Sequence, residues 1–178
     1  LALSSSNSFA QGEANHWYFG RYAALDFSNG DPVALNNSAM YGWGGCATMS
    51  NDTGRLQFYT NGSLVFDRGH DTMYNGSGLM GDYNYGNYGQ SVIAIPRPGY
   101  SNSIQYIFSI NRNNPNTSGS YPDALRYSRV YMPDQNGMGS VNYRNYPLAY
   151  KTFDAKIAAT HHRNGEDYWV VTRQSSSN

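Results

Sequence analysis

Hydrophobic and polar positions repeat one pattern three times along the chain. Each repeat has a short apolar run, a polar turn, and a second run that ends in two apolar residues and a hydroxyl. The second runs are Phe58-Tyr59-Thr60, Ile107-Phe108-Ser109 and Val170-Val171-Thr172, and the first runs lie around Ala47, Ala94 and Ala159. The turns are rich in Asn, Asp and Gly, which supply the positive φ angles that tight hairpins need. The pattern therefore predicts three antiparallel hairpins.

Further strands are predicted after the first two hairpins, at 63–67, 125–132 and 141–146. Alternation with a period of two in 104–110 is typical of strands. A unit of four antiparallel strands then recurs, because the hydroxyls of Thr60, Ser109 and Thr172 follow one another after 49 and 63 residues. Propeller blades repeat every ~40–50 residues. We predict an all-β fold with β-propeller-like, four-stranded antiparallel blades. A β-sandwich, which also has short strands and polar turns, is the alternative.

The predicted propeller is incomplete. The chain holds two complete units and the first half of a third, and an N-terminal strand at Trp17 to Phe27 belongs to another. This amounts to about two and a half to three blades, whereas a closed ring needs roughly four to eight. We therefore expect residues 11–178 to form a partial propeller, with the remaining blades beyond Asn178.

Composition narrows the range of functions. Twelve basic and twelve acidic residues cancel, and charged residues make up only 13% of the chain. A protein that coats nucleic acid needs a strong positive field, so no nucleic-acid partner is expected. The apolar runs are shorter than the ~18 residues of a membrane-spanning helix. Cys46 is the only cysteine, so an internal disulfide is excluded and a small core residue is the expected role.

Residues 1–10 differ from the rest of the chain. Ser8 and Ala10 are small residues at the −3 and −1 positions of a cleavage site, and Gln11 would begin the mature protein. We interpret 1–10 as the remnant of a secretory signal peptide, with a flexible terminus as the alternative. The first interpretation implies export.

Several motifs carry a family resemblance. They are QGEANHWYFG (11–20), AALDFSNGDPVAL (23–35), GCATMSNDTGRLQFYTNG (45–62), NGSGLMG (75–81) and HRNGEDYWVVT (162–172). Together they resemble the N-terminal propeller region of large secreted proteins from Bacteroidetes. Such proteins usually end in a gliding-motility-associated, type B sorting domain recognised by the type IX secretion system. The resemblance implies secretion or display at the outer surface of a Gram-negative bacterium, and a sorting domain beyond Asn178. It implies no catalytic residue.

The sequence shows no catalytic or metal-binding signature, so we predict no catalytic residue, no metal site and no cofactor. The adjacent His161 and His162 would point to opposite faces of a strand and could not easily hold one metal. The stretch SNDTGRLQF (50–58) partly matches the sialidase Asp box. Asp boxes fasten hairpins, so Asp52 is expected to bind the amides of its own turn.

The most distinctive loop is GDYNYGNYG (81–89), between the first and second units. Three tyrosines and one carboxylate lie among Gly and Asn and form the predicted ligand-binding site: Tyr83, Tyr85, Tyr88 and Asp82. Exposed tyrosines could stack on sugar rings or contact a protein partner. The alternative is an ordered connection whose tyrosines cover the neighbouring sheet. A second polar loop, 111–123, could also bind or be passive.

The function predicted from these patterns is an exported binding or adhesion module whose loops contact a surface glycan or a protein. An extracellular carbohydrate-active enzyme, similar to a glycosidase, is the alternative. A purely structural spacer is a third possibility.

Overall fold

The protein has an all-β fold in a computed structural model that describes residues 12–81, 89–111 and 122–175. A short 3-10 turn at Gly12–Ala14 precedes the first strand. The strands of the described residues are β1 His16–Phe19, β2 Ala23–Asp26, β3 Val33–Leu35, β4 Ala47–Ser50, β5 Leu56–Thr60, β6 Leu64–Asp67, β7 Thr72–Ser77, β8 Val92–Pro96, β9 Ile104–Asn111, β10 Ala124–Tyr131, β11 Ser140–Ala149, β12 Phe153–His161 and β13 Tyr168–Gln174. One helical segment, α1, covers Asp134–Gly137. No helix of the described residues is long and apolar enough to cross a membrane.

The strands form four consecutive antiparallel units. Unit I is the sheet β1-β2-β3, and unit IV is the hairpin β12-β13. Unit II (β4 to β7) and unit III (β8 to β11) are four-stranded meanders that join into one eight-stranded sheet, ordered β4-β5-β6-β7-β11-β10-β9-β8. The junction is a single parallel bridge between Tyr74 and Ser140. The two edge strands, β4 and β8, lie close together, so this sheet curls into a nearly closed, barrel-like shape.

The three predicted hairpins are present, and their registers differ from one another. Thr60 pairs with Ala47. The corresponding hydroxyl residues, Ser109 and Thr172, pair with Val92 and Ile157. The three alanines that seemed equivalent in the sequence are therefore not equivalent, because the turn rather than the small side chain sets the register of a hairpin.

The predicted single strand from Trp17 to Phe27 is wrong. The segment forms two strands, β1 and β2, which reverse direction at Gly20 and Tyr22 with φ angles of 58° and 57°. Positive φ is rare for tyrosine, and the sequence therefore gave little sign of a turn at this position.

Three hydrophobic cores lie between consecutive units. The first contains Tyr18, Ala24 and Met40 from the unit I side and Leu56, Tyr59 and Phe66 from unit II. The second contains Met49, Phe58, Val65, Met73 and Leu79 from unit II and Val92, Ile107, Val130, Met132 and Val141 from unit III. The third contains Ile110 of unit III with Phe153 and Ile157 of unit IV. Each unit thus buries an apolar face against the next.

Strand β5 shows why units I to III depend on one another. All five of its residues are buried. Successive side chains of a strand point to opposite faces, and Phe58 lies in the second core whereas the next residue, Tyr59, lies in the first. Unit II is therefore covered on both faces.

We expect Phe58→Ala to destabilise the protein by about 3–5 kcal/mol, because it empties a fully buried site. Tyr74→Ala is the matched control, since Tyr74 is exposed and its loss should change the free energy of unfolding by no more than about 0.5 kcal/mol. Urea denaturation measures both. Equal changes in the free energy of unfolding for the two substitutions would contradict the packing of Phe58 in the second core.

Candidate functional site

The predicted site residues Asp82, Tyr83, Tyr85 and Tyr88 lie outside the described residues, as does most of loop 111–123. The structure does describe Gly81, from which the tyrosine-rich segment departs. A Cβ added to Gly81 would lie 2.4 Å from the carbonyl oxygen of Gly62, in the turn between β5 and β6. Gly81 therefore packs against that turn.

An exposed aromatic cluster lies at the same end of the strands. Its members are Arg21, Tyr22, Tyr41 and Trp43, which we call the aromatic platform. The Tyr41 ring lies 5.7 Å from Tyr22 and 6.2 Å from Trp43. The Arg21 guanidinium carbon lies 3.1 Å from the centre of the Trp43 ring. Trp43 is nevertheless 54% exposed and Tyr22 57% exposed, so rings remain available for a ligand.

Backbone hydrogen bonds hold the platform to the sheets. The Tyr22 amide donates to the Met40 carbonyl at 2.8 Å, and Gly42 donates to Gly20 at 3.1 Å. The Asn61 side chain donates to the Tyr41 carbonyl at 3.0 Å. These bonds join the turn that follows β1, the segment before β4 and the turn beside Gly81. The backbone that carries the aromatic side chains is therefore fixed by hydrogen bonds.

The sequence patterns did not predict this platform. Tyr22 and Trp43 are 21 positions apart, and the pairing of Arg21 with Tyr41 brings their segments together. The available signal was the pair of short stretches GRY (20–22) and YGWG (41–44), which place aromatic residues beside glycines.

A cavity of about 700 Å³ lies toward the other end of β4. The first strands of units II, III and IV line its walls through residues 48–50, 93–96 and 159–161. Polar groups of the hairpin turns, chiefly Asp52 and Asn102, line it as well. The cavity thus combines small and apolar walls with hydrogen-bonding groups, as small-molecule sites do.

The turn of the first hairpin is fastened by Asn51 and not by Asp52, so the expected role of Asp52 is wrong. The Asn51 side-chain oxygen accepts from the amides of Thr53 and Arg55 at 3.2 and 2.8 Å. Asp52 instead accepts from the Asn102 side chain at 3.0 Å. Asn51 can reach these amides because it occupies the first position of the turn. Asp52 is thereby free to link unit II to unit III at the cavity rim.

The other side of the rim belongs to unit IV and the N-terminal turn. His161 and Tyr168 line the cavity with their rings 4.5 Å apart, and Glu13 also lines it. Burial raises the pKa of Tyr168, and the nearby Glu13 carboxylate raises it further. The Tyr168 hydroxyl, which is protonated at neutral pH even at the ordinary tyrosine pKa of 10.0, can donate a hydrogen bond.

The adjacent histidines have different surroundings. His161 contacts Tyr168, whereas His162 contacts Trp169 at 5.4 Å. In the described part of the chain, no three His, Cys, Asp or Glu side chains group closely enough to hold a metal ion.

Cys46 packs against the first core and is half-buried. Burial raises the pKa of its thiol, so the thiolate that would act as a nucleophile is disfavoured. The predicted structural role of this residue is consistent with its position.

His70 belongs to a polar network between units I and II. Its Nδ1 lies 3.2 Å from the Tyr59 hydroxyl, and its Nε2 lies 2.8 Å from the Asn37 side-chain nitrogen. Tyr18 donates from its hydroxyl to the Asn37 side-chain oxygen at 3.1 Å. Burial lowers the pKa of His70, and the charges of Asp67 and Asp71 oppose that effect in part. The network thus favours a neutral imidazole.

Comparisons with known proteins assign no family. No family model, no curated protein and no solved structure matches this chain. The resemblance to secreted Bacteroidetes proteins stays a prediction.

We expect stability to fall on acidification through His70. Its folded pKa lies below the unfolded value of 6.5, so the unfolded state binds the proton more readily as the pH drops below about 6.5. His70→Asn removes the titrating group and suits the positive φ of 70° at this position. Urea unfolding at a series of pH values from 8 to 5 should show a smaller loss of stability for the variant. If the free energies of unfolding of the two proteins fell equally with pH, the assignment of this loss of stability to His70 would be contradicted.

Proposed function

We propose that the protein is an exported binding module that uses its aromatic platform to contact glycans. The observation that carries the proposal is the exposure of Trp43, Tyr22 and Tyr41 on a hydrogen-bonded base. Aromatic rings provide large contact areas with few rotatable bonds, and Trp, Tyr and Arg dominate the energetics of binding sites. Sugar rings, which present C–H groups, match such flat surfaces.

The surrounding charge favours a glycan over a nucleic acid. Arg21 is the single charged member of the platform, and its guanidinium lies against Trp43 and Tyr41. The whole chain has no net charge. Binding to a phosphate backbone requires several such cations, whereas one arginine suits the hydroxyls of a sugar.

We further propose that the four units are successive blades of a β-propeller. Three cores between consecutive units and a cavity lined by the first strands of units II to IV support this arrangement. The outer faces of the series carry exposed apolar side chains, with Trp17 at 52% on unit I and Val171 at 61% on unit IV. Further blades would cover them. Secretion or surface display follows from the sequence resemblance and from the signal-like residues 1–10.

The cavity supports a second candidate, a glycosidase-like activity. Two carboxylates, Glu13 and Asp52, line the cavity together with the protonated Tyr168 hydroxyl. Glycoside hydrolysis uses a pair of carboxyl groups that flank the scissile bond. Release of reducing ends that is lost in both Glu13→Gln and Asp52→Asn would support catalysis. Glycan binding without any release of reducing ends would support the binding module alone.

For the platform, we expect Trp43→Ala to weaken glycan binding by about thirtyfold, as loss of a central aromatic contact does. A glycan array on the full chain identifies a bound glycan, and calorimetry with that glycan measures the affinity. Tyr100→Ala is the matched control, because Tyr100 is equally exposed at 53% but lies in the turn between β8 and β9, away from the platform.

Two results would contradict the proposal. One is the absence of any bound glycan on the array for the unaltered chain. The other is an equal affinity of the Trp43→Ala and Tyr100→Ala variants.

A further inference from the structure

A small cavity of about 200 Å³ lies between unit II and unit III, near the rim of the large cavity. Two arginines line it, Arg55 at the start of β5 and Arg68 after β6. Asn51, Gln57 and Asn102 also line it. We call it the arginine pocket. Asn51 and Asn102 line the large cavity too, so the two spaces adjoin.

The arginine pocket is lined by two basic residues and by no acidic one. These are Arg55 and Arg68, and the Asp52 carboxylate accepts from the side chain of the lining residue Asn102. Within residues 12–81, 89–111 and 122–175, the ion pairs are His16 with Asp26 and Arg173 with Asp154. Neither pocket arginine takes part in them. Two cations held near one small space attract an anion.

Arg68 is held in position by α1. Its guanidinium donates a hydrogen bond to the Gly137 carbonyl. Gln135 and Asn136 have positive φ angles of 52° and 56°, a conformation that costs energy in non-glycine residues. Two hydrogen bonds to Asp134 stabilise this conformation. The Ser140 hydroxyl donates to the Asp134 carboxylate at 2.6 Å, and the Gly139 amide donates to the Asp134 carbonyl at 2.9 Å. Among the described residues, the hydrogen bond to Gly137 uses one of the five N–H donors of Arg68.

Hydrogen bonds also fix the side-chain amides of Asn51 and Gln57. The Asn51 side-chain oxygen already accepts from its own turn, so the capacity left on that side chain is its NH₂ group. Gln57 donates to the Asn102 carbonyl at 3.3 Å and fixes the opposite wall. The pocket therefore presents donors from Asn51 and from two arginines.

We propose that the arginine pocket binds the acidic group of a ligand, an oxyanion such as a carboxylate, sulfate or phosphate. A guanidinium matches an oxyanion because two parallel N–H groups meet two oxygens. Since the pocket opens beside the large cavity, the ligand is a small molecule whose acidic group lies between Arg55 and Arg68. This site is separate from the aromatic platform, so a test of anion binding is independent of the proposed glycan binding.

The test is a calorimetric titration of the whole chain with sodium sulfate, sodium phosphate and sodium glucuronate, each at constant ionic strength set with chloride. Saturable binding of at least one anion with one site per chain is expected. Arg55→Ala should weaken it by at least about tenfold, the usual effect of losing a charge-assisted hydrogen bond. Arg55 is exposed and makes no ion pair among the described residues, so the variant should fold.

Arg97→Ala is the matched control, because it removes the same charge in the turn between β8 and β9 but does not line the arginine pocket. Its affinity should equal that of the unaltered chain. If glucuronate binds most tightly, the acidic group of the ligand is the carboxylate of a sugar. If sulfate or phosphate binds most tightly, the acidic group is a sulfate or a phosphate. The proposal is overturned if no anion saturates, if Arg55→Ala binds as well as the unaltered chain, or if Arg97→Ala weakens binding equally.

Discussion

A sheet whose two faces are both apolar must be covered on both sides, and this constraint determines the arrangement of the described residues. Strand β5 shows it most clearly, because Leu56–Thr60 is buried throughout. Phe58 and Tyr59 point into different cores and so tie unit II to both of its neighbours. Unit III is placed in the same way, since Ile107 lies in the second core and Ile110 in the third. No unit of this chain could bury its apolar side chains alone.

This packing also creates the two candidate sites. Covered faces leave only the strand ends and turns open for binding, so functional groups collect there. Hairpin turns of units II and III meet through Asp52 and Asn102 beside the large cavity. At the other end, short segments before and after the strands bring Tyr22 and Trp43 together. The sheets thus present an aromatic surface at one end, and a cavity with an adjoining arginine pocket at the other.

The sequence predicted those parts of the fold that depend on neighbours in the chain. Alternation and Asn-Gly turn chemistry are local, so the all-β class and the hairpins were accessible. Contacts between distant segments were not. The bridge of Tyr74 with Ser140 joins units II and III and leaves no local pattern. The aromatic platform also depends on contacts between distant segments and was not predicted for the same reason. The role of Asn51 was not predicted because Asn and Asp side chains can both accept hydrogen bonds from the amides of a turn.

The central claim is that consecutive units are held together by side chains that pack across their interface. A double-mutant cycle on Tyr18 of unit I and Tyr59 of unit II, whose rings stack at 4.3 Å, tests it most directly. Unfolding free energies of Tyr18→Leu, Tyr59→Leu and the double variant should show a coupling of about 0.5–1.5 kcal/mol. The control pair of Tyr18 with Ile107, which lie in different cores, should be additive within about 0.5 kcal/mol. Additive effects for Tyr18 and Tyr59 would contradict the account.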